Sequence, residues 1–151
     1  MPVELQNFSI KVKAAIEEKA IQFLKEASAE VESAAKRNSR VATTRLKNSW
    51  DHTIDPGAKE SKIGSPLQNA IWEEFGTGEY AAHGDGRKGG WYIPEEKLGD
   101  GAKAKMRRVE IKGKVFYFTR GKTPNHTLQR AYDSNKGKII ARARKIFKEL
   151  G

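Results

Sequence analysis

The sequence has 151 residues, of which 37% are hydrophobic and 32% charged, so there is room for one domain with an ordinary core. It contains no cysteine, which excludes disulfides, thiolate catalysis and cysteine-based metal sites and fits synthesis in a reducing cytoplasm. Residues 1–8 lack the apolar run of a signal peptide, and no segment approaches the roughly 18 apolar residues of a membrane span, so we expect a soluble protein of net charge +10.

The first predicted element is a long helix from Asn7 to Lys36. Apolar residues recur there at three- and four-residue steps, and neither proline nor glycine interrupts the run. We expect the resulting narrow, alanine-rich stripe to pack at close range against a sheet or a neighbouring subunit. The stripe consists of Phe8, Val12, Ile16, Ala20, Phe23, Ala27, Val31 and Ala34.

A hairpin and a short helix are predicted next. Asp55-Pro56-Gly57 is a strong turn signal, so Trp50–Ile54 and Ser61–Gly64 are the predicted strands. The helix is expected to begin at Pro66 with Ser65 as its N-cap.

We expect Gly76 to end this short helix, because glycine tolerates the left-handed conformation common after a helix. Its predicted buried side consists of Leu67, Ala70, Ile71 and Phe75.

Residues 76–104 are predicted to form a long, flexible, glycine-rich loop. Eight glycines interrupt this stretch, and within it Trp91–Ile93 has the pattern of a strand. Loops of this length within a compact domain are usually functional or disordered. Apolar alternation on both sides of Lys112-Gly113 then predicts a β-hairpin over Arg107–Phe118.

The last predicted element is a helix from His126 to Leu150. Gly137 costs such a helix about 1 kcal/mol relative to alanine, so we expect a break or bend there. The order α–β–β–α–loop–β–β–α predicts a single α+β domain over residues 1–151, with helices packed on one face of a small antiparallel sheet. The apolar face of the last helix consists of Leu128, Tyr132, Ile139, Ala143, Ile146, Phe147 and Leu150.

Sequence signatures of catalysis are missing. The three histidines stand apart, and no zinc-hydrolase, nucleophile-elbow or phosphate-loop motif occurs, so we predict no catalytic residue, cofactor or metal. We interpret the adjacent Glu73 and Glu74 as solvated carboxylates. A small metal-dependent hydrolase using His83 and Asp85 is the weakest alternative.

Positive charge is concentrated in the second part of the sequence. Residues 1–86 carry 11 Lys/Arg against 13 Asp/Glu, whereas residues 87–151 carry 18 against 6. A cluster formed by Lys103, Lys105, Arg107 and Arg108 lies beside the aromatic run 116–118. This cluster can face DNA, an acidic partner or solvent. A basic nucleic-acid-binding protein without enzymatic activity is therefore the main alternative function.

Three short motifs carry a family resemblance. TRLKNS stands at 44–49, IGSP at 63–66 leads into AIWEEFGTG at 70–78, and TRGKTPNHTL stands at 119–128 before the last helix. In this order and spacing the sequence resembles the head–tail joining, or tail-completion, proteins of long-tailed bacteriophages, including the minor tail protein Z type. It departs from the family pattern at Asn69, where a tyrosine is usual, and at Thr127, where an aromatic is usual.

The residues of these motifs also have a local interpretation. Glycines allow the chain to reverse sharply after the short helix, and Arg120 is expected to cap that helix or to pair with Glu73 or Glu74. The motifs are either fold-defining turns or a subunit interface. The residues concerned are Glu74, Phe75, Gly76, Thr77, Gly78, Thr119, Arg120, Gly121 and Pro124.

The resemblance implies a structural, non-enzymatic subunit of the virion neck, made in the host cytoplasm. Its partners would be copies of itself in a ring, hexameric in the virion and monomeric in solution. Neighbouring head-closure and tail-tube or tail-terminator proteins would contact this ring, and the ring would make non-specific contact with phage DNA. The resemblance implies neither a cofactor nor a membrane.

Overall fold

The structure is a computed structural model, which describes the backbone of residues 2–40 and 44–151 and their side chains from Lys11 onward. The predicted α+β class is confirmed, because long first and last helices accompany small antiparallel sheets. No helix in the described ranges is long and apolar enough to cross a membrane. The elements are α1 (Pro2–Asn38), α2 (Thr44–Asn48), β1 (Asp51–Asp55), β2 (Glu60–Gly64), α3 (Gln68–Phe75), β3 (Trp91–Pro94), α4 (Asp100–Lys103), β4 (Arg107–Ile111), β5 (Lys114–Thr119) and α5 (Thr127–Lys148), with 3-10 helices at Gly78–Tyr80 and Glu95–Lys97.

The chain divides into two compact units. The first contains α1, the β1–β2 hairpin and nearly all of α5, and the second contains α2, α3, α4 and the remaining strands. The described strands form a two-stranded sheet and a three-stranded sheet of order β3-β5-β4, in place of the one small sheet expected. That residues 1–151 act as a single domain stays a prediction.

In the first unit, α1 and α5 run antiparallel. Ion pairs join Lys19 to Glu149 at 2.6 Å and Glu26 to Arg142 at 2.8 Å, so positions later in α1 meet positions earlier in α5. The Phe23 ring lies 6.3 Å from a phenyl ring of α5. An aromatic contact and a line of partly exposed ion pairs thus join the two helices.

The predicted faces of both helices are only partly right. Val31 and Ala34 of the α1 stripe are buried, but Val12 and Ile16 are exposed. Phe8 lies outside the described side chains. In α5, Ile146 is buried as expected, whereas Tyr132 and Phe147 are exposed, as is Leu150 just after the helix. The buried positions of its first turns are Thr127, Ala131 and Asn135.

The break expected at Gly137 is absent, because α5 continues without interruption over 22 residues. Gly137 is exposed, and a Cβ there would meet open space. Two residues that follow this position in α5, Lys138 and Arg142, form ion pairs with Glu30 and Glu26 of α1.

The β1–β2 hairpin confirms the turn predicted at residues 55–57. Asp55 Oδ1 accepts hydrogen bonds from the N–H groups of Gly57 and Ala58, at 2.9 and 3.0 Å. A hydrogen bond between the hydroxyls of Ser28 and Ser61 joins the hairpin to α1.

In the second unit, α3 begins two residues later than predicted. Its N-cap is Leu67, with no side-chain cap, and Ser65 Oγ instead accepts the Leu67 N–H at 3.1 Å. The Ser65 hydroxyl also hydrogen-bonds to that of Ser49 at 2.6 Å. The serine thus fixes the loop before the helix rather than the helix itself.

The three-stranded sheet confirms the hairpin predicted around Lys112-Gly113. These two residues have φ values of 50° and 73°, the backbone signature of the tight turn that suits the strand twist. Tyr117 is buried, whereas Phe116 and Phe118 lie on the opposite face, as alternation requires.

Residues 76–104 contain more local structure than expected. They include two 3-10 helices, the strand β3 and the short helix α4. The Ala82 N–H donates to Phe75 O at 2.8 Å, and the Gly89 N–H donates to Glu79 Oε1 at 3.1 Å, so the segment after α3 folds back on its own start. The flexibility of this stretch stays a prediction.

Candidate functional site

The two motifs around α3 and β5 pair with each other through the backbone. Thr77 N–H donates to Lys122 O and Glu79 N–H to Arg120 O, both at 2.8 Å, while Lys122 N–H donates to Thr77 Oγ1 at 2.9 Å. Two further N–H groups, from residues 125 and 126, donate to the carbonyls of residues 73 and 74. We call this interlocked structure the clasp; it consists of residues 73–79 and 119–126.

Glycine is required in the clasp because the two segments approach without room for side chains. Gly78 and Gly121 have φ values of 62° and 124°, and a Cβ on either would overlap the facing carbonyl group, of Arg120 and Thr77 respectively. The glycines that the sequence marked as turns therefore also allow two backbones to touch.

Gly76 ends α3 as predicted. Its φ is 73°, its N–H donates to Trp72 O at 2.9 Å, and a Cβ there would lie 2.8 Å from Pro124 Cδ. Thr119, before the other glycine, is buried, and its Oγ1 accepts the Gly121 N–H at 3.1 Å. In each of the two segments of the clasp, the N–H of the glycine at the turn is thus held by a hydrogen bond.

Glu73, the first residue of the clasp, is fully buried, so its interpretation as a solvated carboxylate is wrong. Its carboxylate pairs with the Lys122 ammonium, and Arg40 Nε lies 3.5 Å from Oε1. Arg40 also donates to Thr123 O at 2.9 Å. Removing one partner of a buried ion pair leaves the other charge desolvated, so Glu73 should be sensitive to substitution.

Arg120 differs from its predicted role. Its guanidinium pairs with Glu79 at 3.4 Å at the surface, rather than with Glu73 or Glu74. The cations that the sequence reasoning missed are Lys122, two residues further along the same motif, and the distant Arg40.

Three large apolar side chains of α3 are exposed, and two of them, Ile71 and Phe75, belong to the side that was predicted to be buried. Ile71 is 59% exposed, Trp72 46% and Phe75 41%, whereas Ala70 and Glu73 are the buried positions. The His83 ring lies 5.0 Å from the ring of Phe75. We call Ile71, Trp72 and Phe75 the α3 face. Clustered exposed apolar residues of this size commonly mark a protein-contact surface.

The four residues of the predicted basic cluster have different surroundings. Lys103 is held by Glu95 and Asp100, at 3.9 and 3.5 Å. Arg107 and Arg108 are adjacent on β4 and therefore point to opposite faces of the sheet, opposite Phe118 and Tyr117 in the register. The cluster thus separates into one neutralised lysine and exposed charges on different sides of a strand.

Among the described residues, one group has side chains placed to hold a metal ion: the ligand atoms of Glu32, Asp51 and His52 lie within 4.8 Å of one another. The hydrogen bond from Lys36, and to a lesser extent the hydrogen bond with His52, lowers the pKa of Glu32 below its ordinary value. The Lys36 ammonium already neutralises the carboxylate that a cation would need, so the arrangement is that of an ion-pair cluster. His83 and Asp85, the metal pair considered from the sequence, are not part of it.

These features define a small α+β protein that displays an apolar contact face on a tightly fixed short helix. Residues 4–76 match a family model, HK97-gp10-like, described as "Bacteriophage HK97-gp10, putative tail-component". The match covers just under half of the sequence and confirms its resemblance to a phage tail-component family. The resemblance to the Z type in particular stays a prediction. No curated protein and no solved structure matches the chain.

Proposed function

We propose that the protein is a subunit of the phage neck, where copies associate side by side in a ring that joins the DNA-filled head to the tail or completes the tail. Identical subunits arranged head to tail form heterologous interfaces that close by rotation. Such a role needs a fixed shape and no catalysis. It is supported by the match to a tail-component family over residues 4–76.

The observation that carries the proposal is the exposed α3 face. Tryptophan is enriched among the residues that dominate protein interfaces, and here Trp72 lies between Ile71 and Phe75 on a helix of eight residues. The clasp holds both the C-terminus of this helix and the buried Glu73 on its other side. A contact face that is already ordered loses less entropy on association than a mobile one.

The neighbours of the ring follow from the same proposal. One side would meet a head-closure protein and the other a tail-tube or tail-terminator protein, with six copies in the virion and monomers before assembly. A stand-alone nucleic-acid-binding protein would account for the basic half of the chain, but neither for the family match nor for the apolar α3 face.

The proposal is tested by replacing residues of the α3 face in a phage that lacks its own copy of the protein. Ile71→Ser and Trp72→Ser should each weaken subunit association by about 2 kcal/mol or more, so that separate heads and tails accumulate. The matched control is Ile140→Ser, because Ile140 is 44% exposed on α5. Electron microscopy of the particles and the infectious titre are the readouts.

Full titre with both α3 variants would refute the α3 face as the contact surface. Equal loss with Ile140→Ser would mean that any exposed apolar residue matters, and would also count against the proposal. Circular dichroism of the purified variants shows whether each still folds.

A further inference from the structure

The β4–β5 hairpin and the turn before it carry cations without partners. Five lysine and arginine side chains of this region are exposed, and none of them makes an ion pair or a hydrogen bond within the described ranges 2–40 and 44–151. Lys103, just before them, is by contrast held by two carboxylates. We call the five residues the basic prong: Lys105, Arg107, Arg108, Lys112 and Lys114.

The register distributes these charges around the hairpin. Arg107 lies opposite Phe118, while Arg108 lies opposite Tyr117 and so points to the other face. Lys112 occupies the turn itself, where its φ is 50°. The sole carboxylate of the hairpin is Glu110. Positive charge thus surrounds the tip and both faces of β4, an edge strand of its sheet.

The composition of the prong differs from that of a protein-contact surface. Lysine is depleted in the cores of protein interfaces, whereas exposed Lys and Arg side chains are the groups that contact phosphates. Ile111 is the one large apolar side chain exposed on β4. An acidic protein would need a dense run of carboxylates to match five charges, whereas a nucleic-acid backbone supplies a phosphate at every nucleotide.

We infer that the basic prong binds the phosphate backbone of duplex DNA without sequence specificity. The choice of DNA rests on the proposed function, since a neck ring surrounds the channel through which the phage genome passes. Weak, non-specific contacts would suit a channel, because they hold DNA in place without stopping its movement along the axis.

Binding of the full-length protein to a labelled 30-base-pair duplex of arbitrary sequence tests this inference. Fluorescence anisotropy is measured between 50 and 200 mM salt, because phosphate contacts weaken steeply over that range. The prong variant combines Arg107→Gln, Arg108→Gln, Lys112→Asn and Lys114→Gln, in which asparagine tolerates the positive φ of the turn. The control removes four exposed charges from α5: Lys136→Gln, Arg144→Gln, Lys145→Gln and Lys148→Gln.

We expect the prong variant to bind roughly tenfold or more weaker at 50 mM salt, and its salt slope to fall by about one per contacting cation. The α5 control has the same net charge and should bind nearly as tightly as the wild type. A variant limited to Lys112→Asn and Lys114→Gln lies outside the clasp and should show about half of the change in slope.

Three results would overturn the inference: no duplex binding by the wild type at 50 mM salt, equal losses in the prong and α5 variants, or equally tight binding of polyglutamate. The last would identify an acidic protein as the partner. Particle assembly by the prong variant separates this inference from the proposed function. If the prong variant loses DNA affinity but still yields joined heads and tails, the ring does not depend on the prong. If the α3 variants yield unjoined particles, that result tests the ring and not the DNA contact.

Discussion

The α3 face and the basic prong lie in the same compact unit but are built in opposite ways. The α3 face is apolar and is carried by a helix whose end and buried side are fixed by the clasp. The prong is cationic, and its side chains make no ion pair or hydrogen bond in the described part of the chain. An apolar contact needs a matching shape, which requires a rigid support, whereas attraction to phosphates acts at longer range and tolerates movement.

This contrast has a consequence for substitutions. Changes in the clasp should alter stability and the presentation of the α3 face together, because the same residues serve both. Changes in the prong should alter affinity for a polyanion while leaving stability nearly unchanged, as is usual for exposed positions.

The largest effect is expected from Gly121→Ala. A Cβ at this position would overlap the Thr77 carbonyl, and the φ of 124° is one that alanine rarely adopts, so we expect a loss of about 3 kcal/mol or more in the free energy of unfolding. Gly137→Ala is the control, because it meets open space within α5 and should stabilise the protein by about 1 kcal/mol. Urea unfolding measures both.

Hydrogen exchange on the same two variants sharpens the comparison between the surfaces. If the clasp supports the α3 face, protection of residues 71–79 should fall in Gly121→Ala and persist in Gly137→Ala. A Gly121→Ala protein as stable as the wild type would show that the close approach of the two segments is not required.

The next effect is expected from Glu73→Gln. The substitution leaves the Lys122 and Arg40 charges facing a buried neutral amide, at a cost of about 2–3 kcal/mol once the partial exposure of Lys122 is considered. Glu96→Gln, at an exposed position of the Glu95–Lys97 helix, should stay within about 0.5 kcal/mol of the wild type. Thermal unfolding of the two variants separates a structural carboxylate from a solvated one, and similar values for both would contradict the role given to Glu73.

The buried position of Glu73 also shows what the sequence alone could not predict. Local signals identified the turns correctly: Asp55-Pro56-Gly57, Lys112-Gly113 and Gly76 all lie where glycine or a turn former is needed by the adjacent backbone. The α+β class followed from periodicity for the same reason. These features depend on a few residues that are neighbours in the sequence, so they can be predicted from a single sequence.

What the sequence could not provide was the pairing of distant segments. The two glycine motifs were recognised separately, but their contact depends on about 45 intervening residues, and the burial of Glu73 depends on Arg40 and Lys122. The α3 face was misassigned for a related reason. Ile71 and Phe75 have the spacing of a buried stripe, yet the buried side of α3 is the one that carries Glu73, and both apolar residues are exposed. Hydrophobic periodicity identifies a face without saying what covers it.

The smallest effect is expected on the free energy of unfolding in acid. It arises at Glu32, which belongs neither to the α3 face nor to the prong. Glu32 of α1 accepts a hydrogen bond from Lys36 and contacts His52, so its pKa in the folded protein lies below its ordinary value of about 4.3. A lowered folded pKa contributes stability above the pKa of the unfolded chain, and this stability is lost as the pH falls through the folded value.

Glu32→Gln should therefore flatten the acid side of the stability curve, by about 1 kcal/mol or less between pH 6 and pH 3, because the carboxylate is only partly buried. Urea unfolding at a series of pH values measures this. The DNA affinity of the prong at neutral pH should stay unchanged, since Glu32 and the prong belong to different compact units. A parallel loss of DNA affinity in Glu32→Gln would show that DNA binding by the prong depends on the packing of α1. It would contradict the expectation that the prong binds through its exposed charges alone.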